Sequence, residues 1–326
     1  MHSWEGDPHQ QPAPDYGSAG PTPDLPPDRS LDPRAGSWRI LFAVCAGILL
    51  ALVFSSGLAR GAFADITQFL TLHGKPQPAS PAQLSQHEIE SLDRQTAQQQ
   101  AELLLERDIN HNAGANDEIA ARVDGWHGKI RLRPQLNSLI TTALNSNDLR
   151  VRAAGIEVDL AAMNMAKTPK YAALLFTQVE NGEPPERIWA LWGLGLLGNR
   201  GVEPEKVTQV LTEHLQDSDA DVRHWAVEGL AYLGTDDTIA PLLQTLHDDA
   251  APTVRERAAC SLAQSGMLTQ AQRRNAIPAL LAFADDSSLD AQSHTWIFQA
   301  LRDITGQKLP NEISAWRAWF SSSGGA

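Results

Sequence analysis

Apolar residues three and four apart recur in short runs from residue 133 to the end of the chain. Leu136, Leu139, Ile140 and Leu144 form the first run; Tyr171, Leu174, Leu175 and Val179 form the second. Val207, Val210, Leu211 and Leu215 follow, then Ile239, Leu242, Leu243 and Leu246, then Ile277, Leu280 and Leu281. This spacing gathers each set on one stripe of a helix. Between the runs lies a more regular segment. RIWALWGLGLLG, residues 187–198, and RHWAVEGLAYLG, residues 223–234, share R-x-W-A-aliphatic-x-G-L-x-x-L-G. Arg255 opens a third copy, RERAACSLAQSG, and Arg152 an earlier, looser one, RAAGIEVDLA. His294 takes the arginine's place in HTWIFQALRDITG, and the steps between copies are 35, 36, 32 and 39 residues. Two short helices cannot bury their stripes alone, whereas stacked pairs share one continuous core. The pattern predicts an all-α fold, an α-solenoid of about five helical hairpins, which exceeds the roughly three repeats such an array needs.

Upstream the pattern changes. Residues 1–37 hold eight prolines and almost no aliphatic side chains. They offer too little apolar surface to offset the entropy of ordering, and are expected to form a disordered tail. Residues 38–60 are expected to form a transmembrane helix. Ile40 to Ala59 is an uncharged run of 20 residues between Arg39 and Arg60, spanning about 30 Å as a helix, with Trp38 at the interface. Arg29, Arg34 and Arg39 precede the run, while Arg60 and Lys75 follow it. That excess places the N-terminus in the cytoplasm. The array then lies in the periplasm of a bacterium, tethered to the inner membrane by a single pass. Ala62-Phe63-Ala64 also fits a signal-peptidase site, but the long lead-in favours an uncleaved anchor. Residues 61–80 read as a linker, and Ser80-Pro81 as the start of a Gln-rich helix to about residue 109. Residues 81–132 are expected to cap the solenoid, which occupies 133–326.

Asp219, Val222, Arg223, Ala226, Leu230, Leu233 and Gly234 spell Asp-x-x-Val-Arg-x-x-Ala-x-x-x-Leu-x-x-Leu-Gly. Val254, Arg255, Ala258, Leu262 and Gly266 repeat much of it. This pattern resembles the HEAT repeat in its bacterial form over roughly residues 133–320. The final LRDITGQKLPNEISAWRAWF resembles the closing segment of many bacterial HEAT proteins, with Trp316, Trp319 and Phe320 sealing the last pair. The first copy departs from the pattern, since Asp159 stands where the third has Leu230. Asp217, Asp219, Asp221 and Glu228 also occupy positions one, three, five and twelve of a calcium loop. The sixth position, however, is Val222, where such a loop requires glycine. The aspartates are therefore read as the inter-helix turn and N-cap.

The formal charge of −13, with 17 Lys plus Arg against 23 Asp plus Glu in residues 131–326, argues against a nucleic-acid partner. Cys45 and Cys260 suggest neither a disulfide nor a zinc cluster, and Cys260 is expected to pack near the core. His214, His224, His247 and His294 form no i, i+4 metal pair. No cofactor, metal or catalytic residue is implied. Trp189, Trp225 and Trp296 fall at one position of three second helices. With Trp192, Tyr232, Arg223 and Arg255 they are the expected partner-binding residues, since tryptophan and arginine dominate binding hot spots. The resemblance implies a non-catalytic scaffold for a protein partner, and the apolar run at residues 38–60 is expected to anchor it in a membrane. The alternatives are a HEAT-like-fold enzyme, metal-dependent or lyase type, and a structural envelope component. For the metal-dependent enzyme, His87-Glu88 is the single adjacent His-Glu pair, and it lies outside the repeats.

Overall fold

The computed structural model describes residues 83–322. The expected tail (1–37), membrane span (38–60), linker (61–80) and cleavage point after Ala64 lie outside the described residues. Among the described residues no helix is long and apolar enough to cross a membrane. They contain α-helices, short 3-10 turns and a lone bridge between Gln83 and Ala113, with no strand.

Three helices come first: α1 (Gln86–Leu92), α2 (Ala97–Ile109) and α3 (Ala115–Arg122). The single Gln-rich helix expected over 81–109 is thus broken in two. Ser85 caps α1 and Thr96 caps α2, each in a reciprocal capping box, with Glu88 and Gln99 respectively. S-x-x-E and T-x-x-Q are the signals for two starts rather than one.

Five pairs follow. They are α4 (Pro134–Leu144) with α5 (Leu149–Ala162), α6 (Pro169–Asn181) with α7 (Pro184–Asn199), and α8 (Pro204–Glu213) with α9 (Ala220–Leu233). Then come α10 (Ile239–Asp248) with α11 (Pro252–Ala263), and α13 (Ile277–Phe283) with α14 (Ala291–Thr305). A short α12 (Gln270–Arg274) sits between α11 and α13, which accounts for the long 39-residue step from Arg255 to His294. Proline stands in the first turn of α4, α6, α7, α8, α11 and α13, where its missing N–H breaks no helical bond. Gly234 and Gly306 end α9 and α14 in the left-handed conformation, the usual stop for a helix.

The expected stripes are buried except at Leu139, Val210 and Leu243, which are half-buried, and with one shift. In α6 the buried set is Ala172, Leu175, Phe176 and Val179, while Leu174 is exposed and Tyr171 half-exposed. In the sequence, Ala172 is too small to stand out as part of the stripe. The second helices form the inner layer: α7 packs on α9, α9 on α11, and α11 on α14. Helices α7 and α9 are buried on nearly all sides. They cross at Gly195 and Gly229, where a Cβ on Gly195 would lie 2.5 Å from the Gly229 carbonyl oxygen. Helix α15 (Ile313–Ser322) covers α13, with Trp316 fully buried and its indole N–H donating to Pro310 O at 2.9 Å.

The first pair leaves the register of the others. Near its start, Arg152 of α5 donates to Gln264 O at 2.8 Å and to Gly266 O, beyond the C-terminus of α11. Leu144, ending α4, accepts from the Tyr232 hydroxyl near the end of α9 at 3.4 Å. Further along α5, Glu157 pairs with Arg200 at 3.3 Å, just past α7. The first pair therefore touches three successive second helices, α5 at the ends of α7 and α11 and α4 at the end of α9, so it crosses the layer instead of extending it. The sequence pattern predicts five equivalent pairs; four are stacked, and one lies across them. Helices α2 and α3 pack on α5, and α2 also on α4.

The α7–α9 crossing gives a direct test. Gly195→Ala should destabilise the fold by about 1–3 kcal/mol through overpacking against backbone. Gly125→Ala, where an added Cβ meets nothing within 4 Å, should leave the unfolding midpoint nearly unchanged in the same denaturant titration.

Candidate partner surface and the buried face beside it

The turns of the second, third and fourth pairs are each fastened by the arginine that opens the repeat motif. Arg223 donates Nε and Nη2 to the Asp249 carboxylate at 2.8 and 2.9 Å, and Nη1 to Asp217 O at 2.9 Å. Arg255 repeats the arrangement with Asp290 at 2.7 Å, Ser293 Oγ at 3.1 Å and Asp249 O at 2.7 Å. Arg187 reaches Asp217 at 2.7 Å and Gly182 O at 3.2 Å. Every arginine thus holds a carbonyl of its own turn and the aspartate of the next one. Arg152 holds its own turn through Ser146 O, but its other bonds go to the α11 terminus. The ladder starts at the second pair.

This answers the question of the aspartate string. Asp219 is the N-cap of α9, accepting from the Asp221 N–H at 2.8 Å. Asp217 accepts from the Asp219 N–H at 2.8 Å as well as from Arg187. The Arg187 guanidinium and the Asp219 amide outweigh partial burial and hold the Asp217 carboxyl below the usual range. The backbone is helical from Ala220, so it cannot wrap an ion in the manner of a calcium loop. Among the described residues no group of three or more His, Cys, Asp or Glu side chains is placed to hold a metal.

The seven expected partner-binding residues separate into three groups. Trp189, Trp225 and Trp296 are half-buried on α7, α9 and α14. They stand at equivalent positions of helices that pack in sequence, with Arg257 in the same place on α11 and bonded to Glu228 at 2.7 Å. Arg223 and Arg255 are structural: their guanidinium donors serve the ladder. Trp192 and Tyr232 are buried, which removes them from an open binding face. Trp192 stands edge-on to Trp225 at 5.7 Å and to Tyr232 at 4.8 Å, and Asp159 of the crossing α5 faces it. Cys260 also departs from expectation. It is exposed, because Ala259, Ser261 and Leu262 form the buried side of α11.

Under α5 lies a residue that the repeat pattern marked only as a departure. Asp159 is 1% exposed and faces the Trp192 indole. Burial pushes its carboxyl up to about 7, and the indole offsets only part of that shift. Two arginines are buried nearby without a carboxylate. Arg152 and Arg273 both donate to Gln264 O, and Arg273 also serves Ser261 O and Leu268 O at the end of α11. Such carbonyls form the negative end of the helix dipole, where cations are favoured. Burial still pulls Arg273 down to about 10. None of this was legible in the sequence, because it depends on a helix leaving its register.

A second charged cluster joins the last two pairs. His247 Nε2 meets Asp286 at 3.0 Å, its Nδ1 meets Asp248, and its ring lies 4.7 Å from Phe283. The two carboxylates raise the His247 pKa, and Ser288 together with His247 lowers that of Asp286.

Stacked helix pairs with an Arg–Asp ladder define an α-helical repeat array. Residues 172–263 match the family model of HEAT repeats. The matched stretch runs from within α6 to the end of α11, which is three of the four pairs in register.

Two outcomes follow. Arg223→Ala strands the almost fully buried Asp249 carboxylate and should cost about 3 kcal/mol or more. Arg150→Ala, at a largely exposed ion pair, should change the unfolding midpoint little. The His247 cluster contributes stability fully below about pH 6.5, the ordinary histidine value, and loses it as pH rises through the raised one. The melting-temperature gap between wild type and His247→Ala should therefore be wide at about pH 5.5 and narrow at about pH 8.5.

Proposed function

We propose that this chain is a membrane-anchored, non-catalytic scaffold that holds a protein partner on the row formed by Trp189, Trp225 and Trp296. HEAT repeats generally mediate protein–protein contacts, and the match over residues 172–263 supports that class of function. The observation that carries the reading is the row itself. Three indoles recur at one position of the packed second helices α7, α9 and α14, with Arg257 taking that position on the intervening α11, and they remain part-exposed. A core role alone would bury them as it buries Trp126 and Trp316. Aromatic side chains of this kind concentrate binding energy when a partner excludes water from them. The uncharged run from Ile40 to Ala59 supports an anchor. The basic residues before it favour a cytoplasmic N-terminus and a periplasmic array at a bacterial inner membrane.

A photo-crosslinking amino acid at position 189 or 296 of the full chain, expressed in its native membranes, should yield one discrete adduct with a second protein. Trp225→Ala should reduce that adduct about thirtyfold, the weight of a hot-spot residue, without lowering the melting temperature by more than a few degrees. Adducts only with the same chain would instead indicate a structural envelope component. Protease accessibility of the array in intact spheroplasts tests the orientation separately.

A further inference from the structure

The interface between α5 and the layer beneath it is assembled unlike the rest of the array. Elsewhere the helices meet through apolar stripes and through guanidinium–carboxylate pairs, and one such pair, Glu157–Arg200, is also present here. Here a carboxylate, Asp159, is buried where its repeat equivalent is Leu230, and a guanidinium, Arg152, is buried on carbonyl oxygens. The two charges lie on one helix, two turns apart, and among the described residues no ion pair includes either. An ionised carboxylate in such a place has a large desolvation cost and no cation to offset it.

The Trp192 indole is a polar partner, but no group facing Asp159 supplies a positive charge. Trp192 comes from α7 and Tyr232 from α9, and burial keeps the Tyr232 phenol neutral well beyond the physiological range. Glu228 and Arg257, which bear on Tyr232, are bonded to each other. On α5 itself Glu157 is held by Lys167 at 2.9 Å and by Arg200. No charged side chain of α2, α3 or α4 bears on Asp159.

Helices α1–α5 also have their own packing, with α2 and α3 on α5. They join the stacked pairs through residues 163–168. In that connection Asn164 adopts a positive φ of 56°, a conformation seldom taken outside turns. What the first pair covers is Trp192, faced by Asp159 of α5, and Tyr232, bonded to Leu144 of α4, and both are continuous through Trp225 with the tryptophan row.

We propose that α1–α5 form a hinged cover over the Trp192–Tyr232 face, closed when Asp159 is protonated and released when it ionises. With the cover open, the tryptophan row would extend inward by two aromatic side chains. The gating of a partner rests on the scaffold reading above; the opening itself does not. Release relieves the desolvation of the carboxylate, so the closed state binds one more proton than the open state. The opening equilibrium should therefore grow on the order of tenfold per pH unit between about pH 5 and neutrality, then level off.

Hydroxyl-radical footprinting of the full chain in detergent, read by mass spectrometry from about pH 5 to 8.5, tests this without a partner. Oxidation of Trp192 and Tyr232, relative to Trp126 and Trp316, should rise along that one-proton curve in the wild type. Asp159→Asn and Asp159→Leu should both remove the slope and keep the two residues protected throughout. A flat ratio in the wild type overturns the proposal whether or not either variant folds. So does a slope that persists in a folded variant, or a parallel rise at Trp126, which would signify unfolding of the whole cover.

Discussion

The bond between each repeat arginine and the aspartate of the following turn is the constraint on which the stacking depends. An apolar stripe alone is tolerant. A helix can rotate or slide against a greasy neighbour with little change in buried area, and packing adds specificity only through shape. A guanidinium fork is not tolerant, because its donors need acceptors at fixed angles. Arg223 uses one edge for Asp249 and another for Asp217 O, so it ties three chain segments together at once. The aspartates are fixed independently, Asp217 and Asp249 by amides of their own turns. Each pair can therefore sit on the next in only one way.

That constraint also explains why the first pair differs. Arg152 holds its own turn but meets no aspartate of the next turn. With no ladder bond across the junction, the first pair is free to take another position, and it takes one that reaches three helices. The sacrifice is visible in Asp159, a carboxylate buried against an indole. A leucine there would suit a stacked helix, as Leu230 does. An aspartate marks a helix whose burial depends on protonation.

How far the sequence could be read follows the same division. The pairs, their turns, the N-cap role of Asp219 and the capping function of Trp316 follow from local spacing, because each depends on residues close in the chain. The roles of Arg223 and Arg255 were visible as a repeat but were assigned outward, since a recurring arginine gives no sign of whether its acceptor is a partner or the next turn. Trp192 and Tyr232 were placed on the open face for a similar reason. In a regular array they would lie there, and only a contact between residues 144 and 232, or 152 and 266, reveals what covers them. The breaks in α1–α2 and the insertion of α12 had local signals, the capping boxes at Ser85, Thr96 and Thr269. Outweighed by the length of the surrounding polar run, they did not set the boundaries.

The division of the aromatic face then acquires a physical meaning. Trp189, Trp225 and Trp296 rise from the early turns of their helices, and Trp192 and Tyr232 from one and two turns later on α7 and α9. The first pair meets the later turns, with Asp159 facing Trp192 and Leu144 O bonded to Tyr232, and leaves the early tryptophans part-exposed. Trp225 touches both sides, with its ring against Trp192. A molecule bound on the open row would press on the ring that the covered residues support, and displacement of α5 would alter the support of that ring. Aromatic rings packed edge to face have few alternative arrangements, so the open and covered halves cannot repack independently. Coupling between them needs no longer path than this one contact, and it runs in both directions: whatever favours an open cover favours the ligand that profits from it, and the ligand favours the open cover in equal measure.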